Sequence, residues 1–202
     1  MNKKGLIILT AGLLCIAAAL GLFVHNALAS RHAEESSQKI TEELEKKISE
    51  ENSGAENVFP TDNPYREMPT VTVEGLSYIG ILSVPESDLT LPVLASFDYD
   101  SLQETPCLYS GSIYRKNMVI GAHNYDSHFG RISSLSQGSR VIFTDTENHR
   151  YDCEVVSMET LKPDQNDELT KKFGNDWDIS LFTCNYSGSA RIVVRCRITG
   201  QG

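Results

Sequence analysis

Ile179-Ser180-Leu181-Phe182-Thr183-Cys184 is an apolar, strand-like run that ends on a cysteine. It opens into Asn185-Tyr186-Ser187-Gly188-Ser189, a loop-forming stretch, and the next β-branched run begins at Arg191. The pattern reads as two strands joined by a short turn. A side chain at a strand end beside a loop can reach a cleft. A thiol there, with an arginine opening the next strand, reads as a nucleophile beside an anion clamp. Val119-Ile120-Gly121-Ala122-His123-Asn124 is a second apolar run that ends on a histidine, a candidate base or acid.

Outward from these runs, short β-branched and aromatic segments alternate with turn residues from Val71 onward. Candidate strands cover 78–84, 91–95, 117–122, 140–145, 150–158, 179–184 and 191–199, the spacing of an all-β sandwich or barrel. Asp145-Thr146-Glu147-Asn148 reads as a hairpin turn. Residues 97–102 and 127–135 read as short helical connections. Roughly 130 residues suffice for a core without disulfide support.

The N-terminal part differs in kind. Residues 5–24 carry no charge, and as a helix they span roughly 30 Å, the hydrocarbon core of a bilayer. The run exceeds the roughly 7–15-residue apolar core of a signal peptide. A retained anchor is therefore expected, with Ala27-Leu28-Ala29 as the alternative cleavage site. Lys3 and Lys4 place the N-terminus in the cytoplasm and the rest outside the cell. Residues 30–54 are rich in Glu and Lys, and Ile40, Leu44 and Ile48 form only a narrow apolar stripe. This segment reads as a solvated helical stalk that holds a domain off the membrane. Gly, Asn and three prolines between 53 and 69 mark a linker. The expected organisation is a tip and transmembrane anchor over 1–29, a stalk and linker over 30–70, and a β domain over 71–202. The net charge of −9 excludes nucleic acid as a natural partner.

Five cysteines are present. Cys15 lies in the apolar run. Cys107, Cys153, Cys184 and Cys196 lie in the exported part, where disulfides are permitted and four cysteines allow three pairings. Cys107, Cys153 and Cys196 read as buried thiols, with a disulfide among them as the alternative. His128, five residues beyond His123, and His149, beside the hairpin turn, are rivals for the histidine role. His149 reads as solvent-exposed. His25 and His32 are placed beside the membrane.

Ser180-Leu181-Phe182-Thr183-Cys184 resembles the TLxTC signature of the sortases, bacterial cell-surface transpeptidases. The first position is Ser180 where that signature has threonine, an exchange between small hydroxyl residues. Arg191-Ile192-Val193-Val194-Arg195 resembles the family's arginine strand, and the run ending in His123-Asn124 its histidine strand. Phe129-Gly130-Arg131-Ile132-Ser133-Ser134-Leu135 resembles the short helical stretch that follows, and 78–85 and 91–93 its first two strands. The order His, Cys, Arg agrees as well.

The resemblance implies a mainly β fold: a closed sortase-type barrel of about eight strands with short helices, preceded by a transmembrane helix and a charged stalk. It implies that Cys184 is the nucleophile, His123 the proton carrier and Arg191 the oxyanion and substrate clamp, with Thr183 supporting the same carbonyl. Arg195 and Arg197 share the face of Arg191 in a regular strand. The implied reaction cleaves an LPxTG-like sorting signal of a surface protein through a thioacyl enzyme and transfers it to an amine of a cell-wall precursor. Pilin polymerisation is the alternative within the family. Asp62-Asn63-Pro64-Tyr65 faintly resembles the lid element of such enzymes. Outside the family, a non-catalytic peptide-binding β module and a hydrolysing cysteine protease are the alternatives. No cofactor is expected, and no carboxylate spacing reads as a calcium site.

Overall fold

The computed structural model describes residues 3–53, 63–174, 176–185 and 187–202. Nine strands form in chain order: β1 Val71–Val73, β2 Leu76–Val84, β3 Leu89–Leu94, β4 Cys107–Ser110, β5 Met118–Gly121, β6 Arg140–Asp145, β7 Arg150–Leu161, β8 Ile179–Cys184 and β9 Arg191–Gln201. Hydrogen bonding runs β2-β3-β4-β5-β8-β9-β7-β6, and β6 pairs back onto β2. The ring is therefore an eight-strand barrel, as the family resemblance implies. β1 is appended to β2 as a short hairpin. Closure occurs at a tight approach: Gly80 of β2 pairs with Asp145 of β6. Gly80 has φ 152°, and a Cβ there would lie 2.2 Å from the Thr144 carbonyl oxygen. Only glycine fits that seam.

Alternate residues of the strands face inward, the period-two rule. Ile79, Leu82, Val93, Ile120, Phe143, Ile179, Leu181 and Val194 fill the barrel interior. A second cluster, Val119, Leu161, Leu169, Trp177, Phe182 and Val193, lies on the opposite face of β5, β8 and β9, under helix α3. The short helices are α2 Ser101–Glu104 and α3 Asn166–Thr170; the segment Phe129–Ser134 is a 3-10 helix.

One continuous helix, α1 Lys3–Glu51, precedes the barrel. Its 49 residues extend about 73 Å. The N-terminal part holds an 18-residue window long and apolar enough to cross a bilayer, none of it buried inside the protein. The C-terminal part departs from the free solvated stalk that its charge suggests. Ala33, Ser37, Ile40, Thr41, Leu44 and Ile48 are buried, and the stripe of Ile40, Leu44 and Ile48 packs on Val71, Val73, Tyr78, Ile81, Leu94 and Cys107. Burying three large aliphatic side chains stabilises this contact by several kcal/mol, at about 1.5–3 kcal/mol each. The Glu and Lys residues cover the outer face, where Lys47 pairs with Glu43. Asn52 closes the far end of the contact, its amide donating to the Thr146 carbonyl at 3.1 Å.

Three further differences from the sequence reading are physical in origin. β1 and β4, of three and four residues, are too short to show a period. α3 forms one turn whose last carbonyls are satisfied from outside. His149 is 4% exposed, the reverse of the exposed site expected beside a turn. Its ring Nδ1 lies 3.0 Å from Asp145 Oδ2, and Asp145 is itself fully buried. Of the lid-like element, Asp62 lies outside the described residues. Asn63 to Arg66 form a turn, and Arg66 pairs with Glu147 and stacks 5.8 Å over Tyr114, anchoring the segment to the β6–β7 turn.

Candidate active site

β5 and β8 are adjacent and parallel, with Gly121 opposite Phe182. Their C-terminal ends therefore emerge side by side. His123 lies just past the end of β5, and Cys184 is the last residue of β8. Two bonds hold these ends together. Ala122 N donates to the Phe182 carbonyl at 3.2 Å, and the Thr183 hydroxyl donates to the Ala122 carbonyl at 2.9 Å. Thr183 is buried, and its hydroxyl serves the scaffold. β8 then turns back into antiparallel β9, which puts Arg191 opposite Cys184. The three residues meet at one end of the barrel from three neighbouring strands.

The Cys184 thiol is exposed. It borders a cleft of about 160 Å³ lined also by Asn124, Gly130, Ser133, Thr183, Asn185 and Ile192. His123 and Arg191 flank this cleft rather than line it. The turn after Cys184 is built by Asn185: its N–H donates to the Ala190 carbonyl at 2.8 Å, and its Oδ1 accepts from Ala190 N at 3.2 Å. Asn124 bridges to that turn, its amide donating to the Asn185 carbonyl at 3.3 Å. Adjacency to His123 in the sequence does not reveal this bridge, which depends on the β5–β8 pairing.

His123 is half-buried, and burial lowers its pKa below the ordinary imidazole value; a hydrogen bond with the Asn124 side chain pulls the other way. Neutral imidazole is thus favoured at neutral pH. The ring stacks on Tyr125 at 4.1 Å with an interplanar angle of 8°. Its Nδ1 is buried with no hydrogen-bond partner among the described residues. His128 is fully buried, its pKa lowered to about 4 by burial and by its proximity to His123. It lies beneath the loop, outside the cleft.

The arginines separate cleanly. Arg191 is half-exposed and donates from Nη1 to the Pro163 carbonyl at 2.8 Å. Arg195 shares its face, as period two requires, but is 3% exposed. It donates to Glu159 Oε1 at 3.1 Å, to the Leu169 and Glu168 carbonyls at 2.7 and 2.6 Å, and to Ser180 Oγ at 3.1 Å. Its guanidinium also sits 4.6 Å over the Trp177 ring. Arg195 thus caps α3 and belongs to the scaffold. The Ser180 hydroxyl is one of its acceptors, so this position of the motif is structural.

The other three thiols of the barrel are buried and held protonated. Cys107, Cys153 and Cys196 are free and buried. Burial pushes the first two up to about 12 and raises Cys196 as well. Asp145, Glu147 and His149 bring their ligand atoms within 4.8 Å of one another, a grouping the sequence spacing did not single out. The Asp145 carboxylate already accepts from the N–H groups of Glu147 and His149 and from the Tyr114 hydroxyl, which is turn-building.

Comparison with known proteins agrees with this geometry. Sortase A of Bacillus anthracis is 30% identical over 128 residues, covering 58% of this chain and 57% of that protein. The chain thus spans just over half the length of that relative. Among solved structures, a Sortase D5 transpeptidase of Clostridium perfringens superposes with a TM-score of 0.60 at 16% identity, over 82% of this chain and 99% of that one. Streptococcus pneumoniae Sortase C superposes with a TM-score of 0.55 at 20% identity, over 87% and 97%. These two share the fold. The sequence profile of the sortase domain matches residues 82–199, more than half of the chain and all three strands that carry the candidate site, so the chain belongs to the sortase family.

Proposed function

We propose that the protein is a membrane-anchored cysteine transpeptidase that joins surface proteins bearing an LPxTG-like sorting signal to an amine of a cell-wall precursor. The observation that carries this reading is the convergence of an exposed Cys184, its cross-strand partner Arg191 and the strand-end His123 at one end of the barrel. Cys184 Sγ attacks the scissile carbonyl carbon and forms a thioester; the C–N bond breaks, and His123 protonates the departing amine. The acceptor amine then attacks the thioester, gives its proton to His123 and releases the thiol. The Arg191 fork, permanently charged, stabilises the oxyanion of both tetrahedral intermediates. Thr183 supports the site by holding Ala122. The apolar part of α1 serves as the anchor, its N-terminus cytoplasmic and the barrel outside the cell.

The test uses the full chain in detergent micelles with a library of LPxTG-like peptides. An acyl adduct on Cys184 by intact mass, lost in Cys184→Ala, is the expected result. With triglycine or a diaminopimelate-containing peptide present, a ligated product is expected. No adduct from a folded protein across the library overturns the reading; acid alone in the presence of amine makes the protein a hydrolase. Transfer to a lysine side chain in preference to these amines assigns pilin polymerisation instead.

A further inference from the structure

Two serines of α1 touch the loop that carries His123. Ser30 and Ser37 are seven residues apart, two helical turns, and so share the face that also bears Ala33, Ile40 and Leu44. The Ser127 hydroxyl donates to the Ser30 carbonyl at 3.1 Å. The Ser37 hydroxyl donates to the Glu104 carbonyl at 3.1 Å, and its oxygen lies 3.3 Å from His128 Nε2 in a fully buried contact.

Counting protons assigns the His128 tautomer. The Ser37 hydroxyl has one proton, and the Glu104 carbonyl takes it. The proton between Ser37 and His128 therefore comes from Nε2. His128 is neutral at ordinary pH, and a neutral imidazole has a single N–H. Its Nδ1 is then a bare acceptor, and that atom is buried without a partner among the described residues.

From His128 the contacts continue to His123. The His128 ring packs on Tyr125 at 5.9 Å, and Tyr125 is the ring stacked on His123 at 4.1 Å. His128 N donates to the Tyr125 carbonyl at 2.9 Å, and Phe129 N to the His123 carbonyl at 3.1 Å, closing the loop on itself. His123 N donates to the Leu102 carbonyl at 3.3 Å, two residues before the Glu104 carbonyl that Ser37 holds. Helix α1, helix α2 and the histidine loop are one bonded unit.

We propose that His128 is a positioning residue for His123: Ser37 of the N-terminal helix holds His128 as the Nε2–H tautomer, and the ring series His128–Tyr125–His123 sets the orientation of the His123 imidazole beside Cys184. Only the activity readout of this proposal rests on the transpeptidase reading.

The test compares the full chain with Ser37→Ala in detergent micelles, with ¹⁵N-labelled histidine. In the parent protein, long-range ¹H–¹⁵N spectra show His128 as a pure Nε2–H tautomer. Ser37→Ala turns it into a mixture and moves the His123 ring resonances. Transfer of an LPxTG-like peptide to triglycine then falls in kcat by about three- to tenfold with KM unchanged, the size of one lost hydrogen bond. Tyr125→Leu, which removes the middle ring from a partly exposed position, produces the same kcat–KM split and serves if Ser37→Ala does not fold. An unchanged His128 tautomer, or His123 resonances that do not move in either variant, overturns the proposal. So does a kcat loss that tracks thermal stability alone. If the parent protein transfers no peptide, the transpeptidase reading fails, and the His123 resonances alone decide the positioning role.

Discussion

The Thr183 hydroxyl donates to the Ala122 carbonyl across 2.9 Å, tying the residue before Cys184 to the residue before His123. The bond is buried, and its acceptor lies one residue past the end of β5, at the start of the histidine loop. Thr183→Val keeps the shape and deletes the donor, leaving a buried carbonyl unsatisfied. We expect a stability loss of about 1–3 kcal/mol in denaturant unfolding. Peptide transfer should fall on the order of tenfold through misplacement of His123 against Cys184, with KM little changed. Thr183→Ser should restore both. A fully active Thr183→Val would show that the tie does not position the site.

Arg191 and Arg195, on one face of β9, should separate activity from stability. Arg191→Ala removes a half-exposed guanidinium, so its melting temperature should stay within the small range of surface substitutions. Its kcat should fall about 10²–10³-fold, the cost of an oxyanion donor, and Arg191→Lys should not rescue it because the planar fork is lost. Arg195→Ala orphans the Glu168 and Leu169 carbonyls and the Ser180 hydroxyl. It should cost about 3 kcal/mol, a drop of roughly 10 °C in a domain of this size. Thermal melts and steady-state kinetics on both variants check this; equal activity losses without a stability difference would overturn the separation of the two roles.

What the sequence made legible follows from length and period. The seven strands with a clear β-branched run could be located, and the strand-end cysteine, histidine and arginine could be named in order. β1 and β4 could not, because three or four residues carry no period, and the β2–β6 seam depends on contacts 59 to 65 residues apart along the chain, from Ser83–Ile142 to Gly80–Asp145. The burial of His149 is set by the Asp145 carboxylate four residues away, which adjacency to a turn conceals. The docking of α1 was half visible: Ile40, Leu44 and Ile48 formed a stripe, but its continuation runs through Ala33 and Ser37, whose burial only the barrel dictates. Of Arg191, Arg195 and Arg197, which share one face of the strand pattern, only tertiary structure shows that Arg195 is taken up by α3 and Trp177.

His128 should make stability fall in mild acid. It is buried and neutral, its folded pKa lowered to about 4 against an unfolded value near 6.5. Above about pH 6.5 neither state is protonated there, and the group contributes nothing to the pH dependence. Below it the unfolded chain takes up a proton that the folded chain refuses, so stability declines until about pH 4 and then levels off. The full loss is roughly 3 kcal/mol. Denaturant unfolding at several pH values should show that slope, and His128→Gln, which cannot titrate, should flatten it. A slope unchanged in the variant would assign the acid sensitivity to another group.

His123 should set the acid limb of catalysis at lower pH than an ordinary imidazole does. Burial disfavours the imidazolium, so its pKa lies below 6.5, and the Asn124 side chain holds it from falling further. The transfer reaction needs the imidazolium to protonate the leaving amine, paired with a thiolate, and each unit by which the imidazole becomes less basic makes that pair about tenfold scarcer. Asn124→Ala should therefore move the acid limb of kcat/KM to lower pH and reduce its plateau together. Loss of the Asn124 bridge to the Asn185 carbonyl would by itself lower the plateau without moving the limb. A pH–rate profile of the variant separates the two contributions, and an acid limb displaced upward would contradict the assignment of that limb to His123.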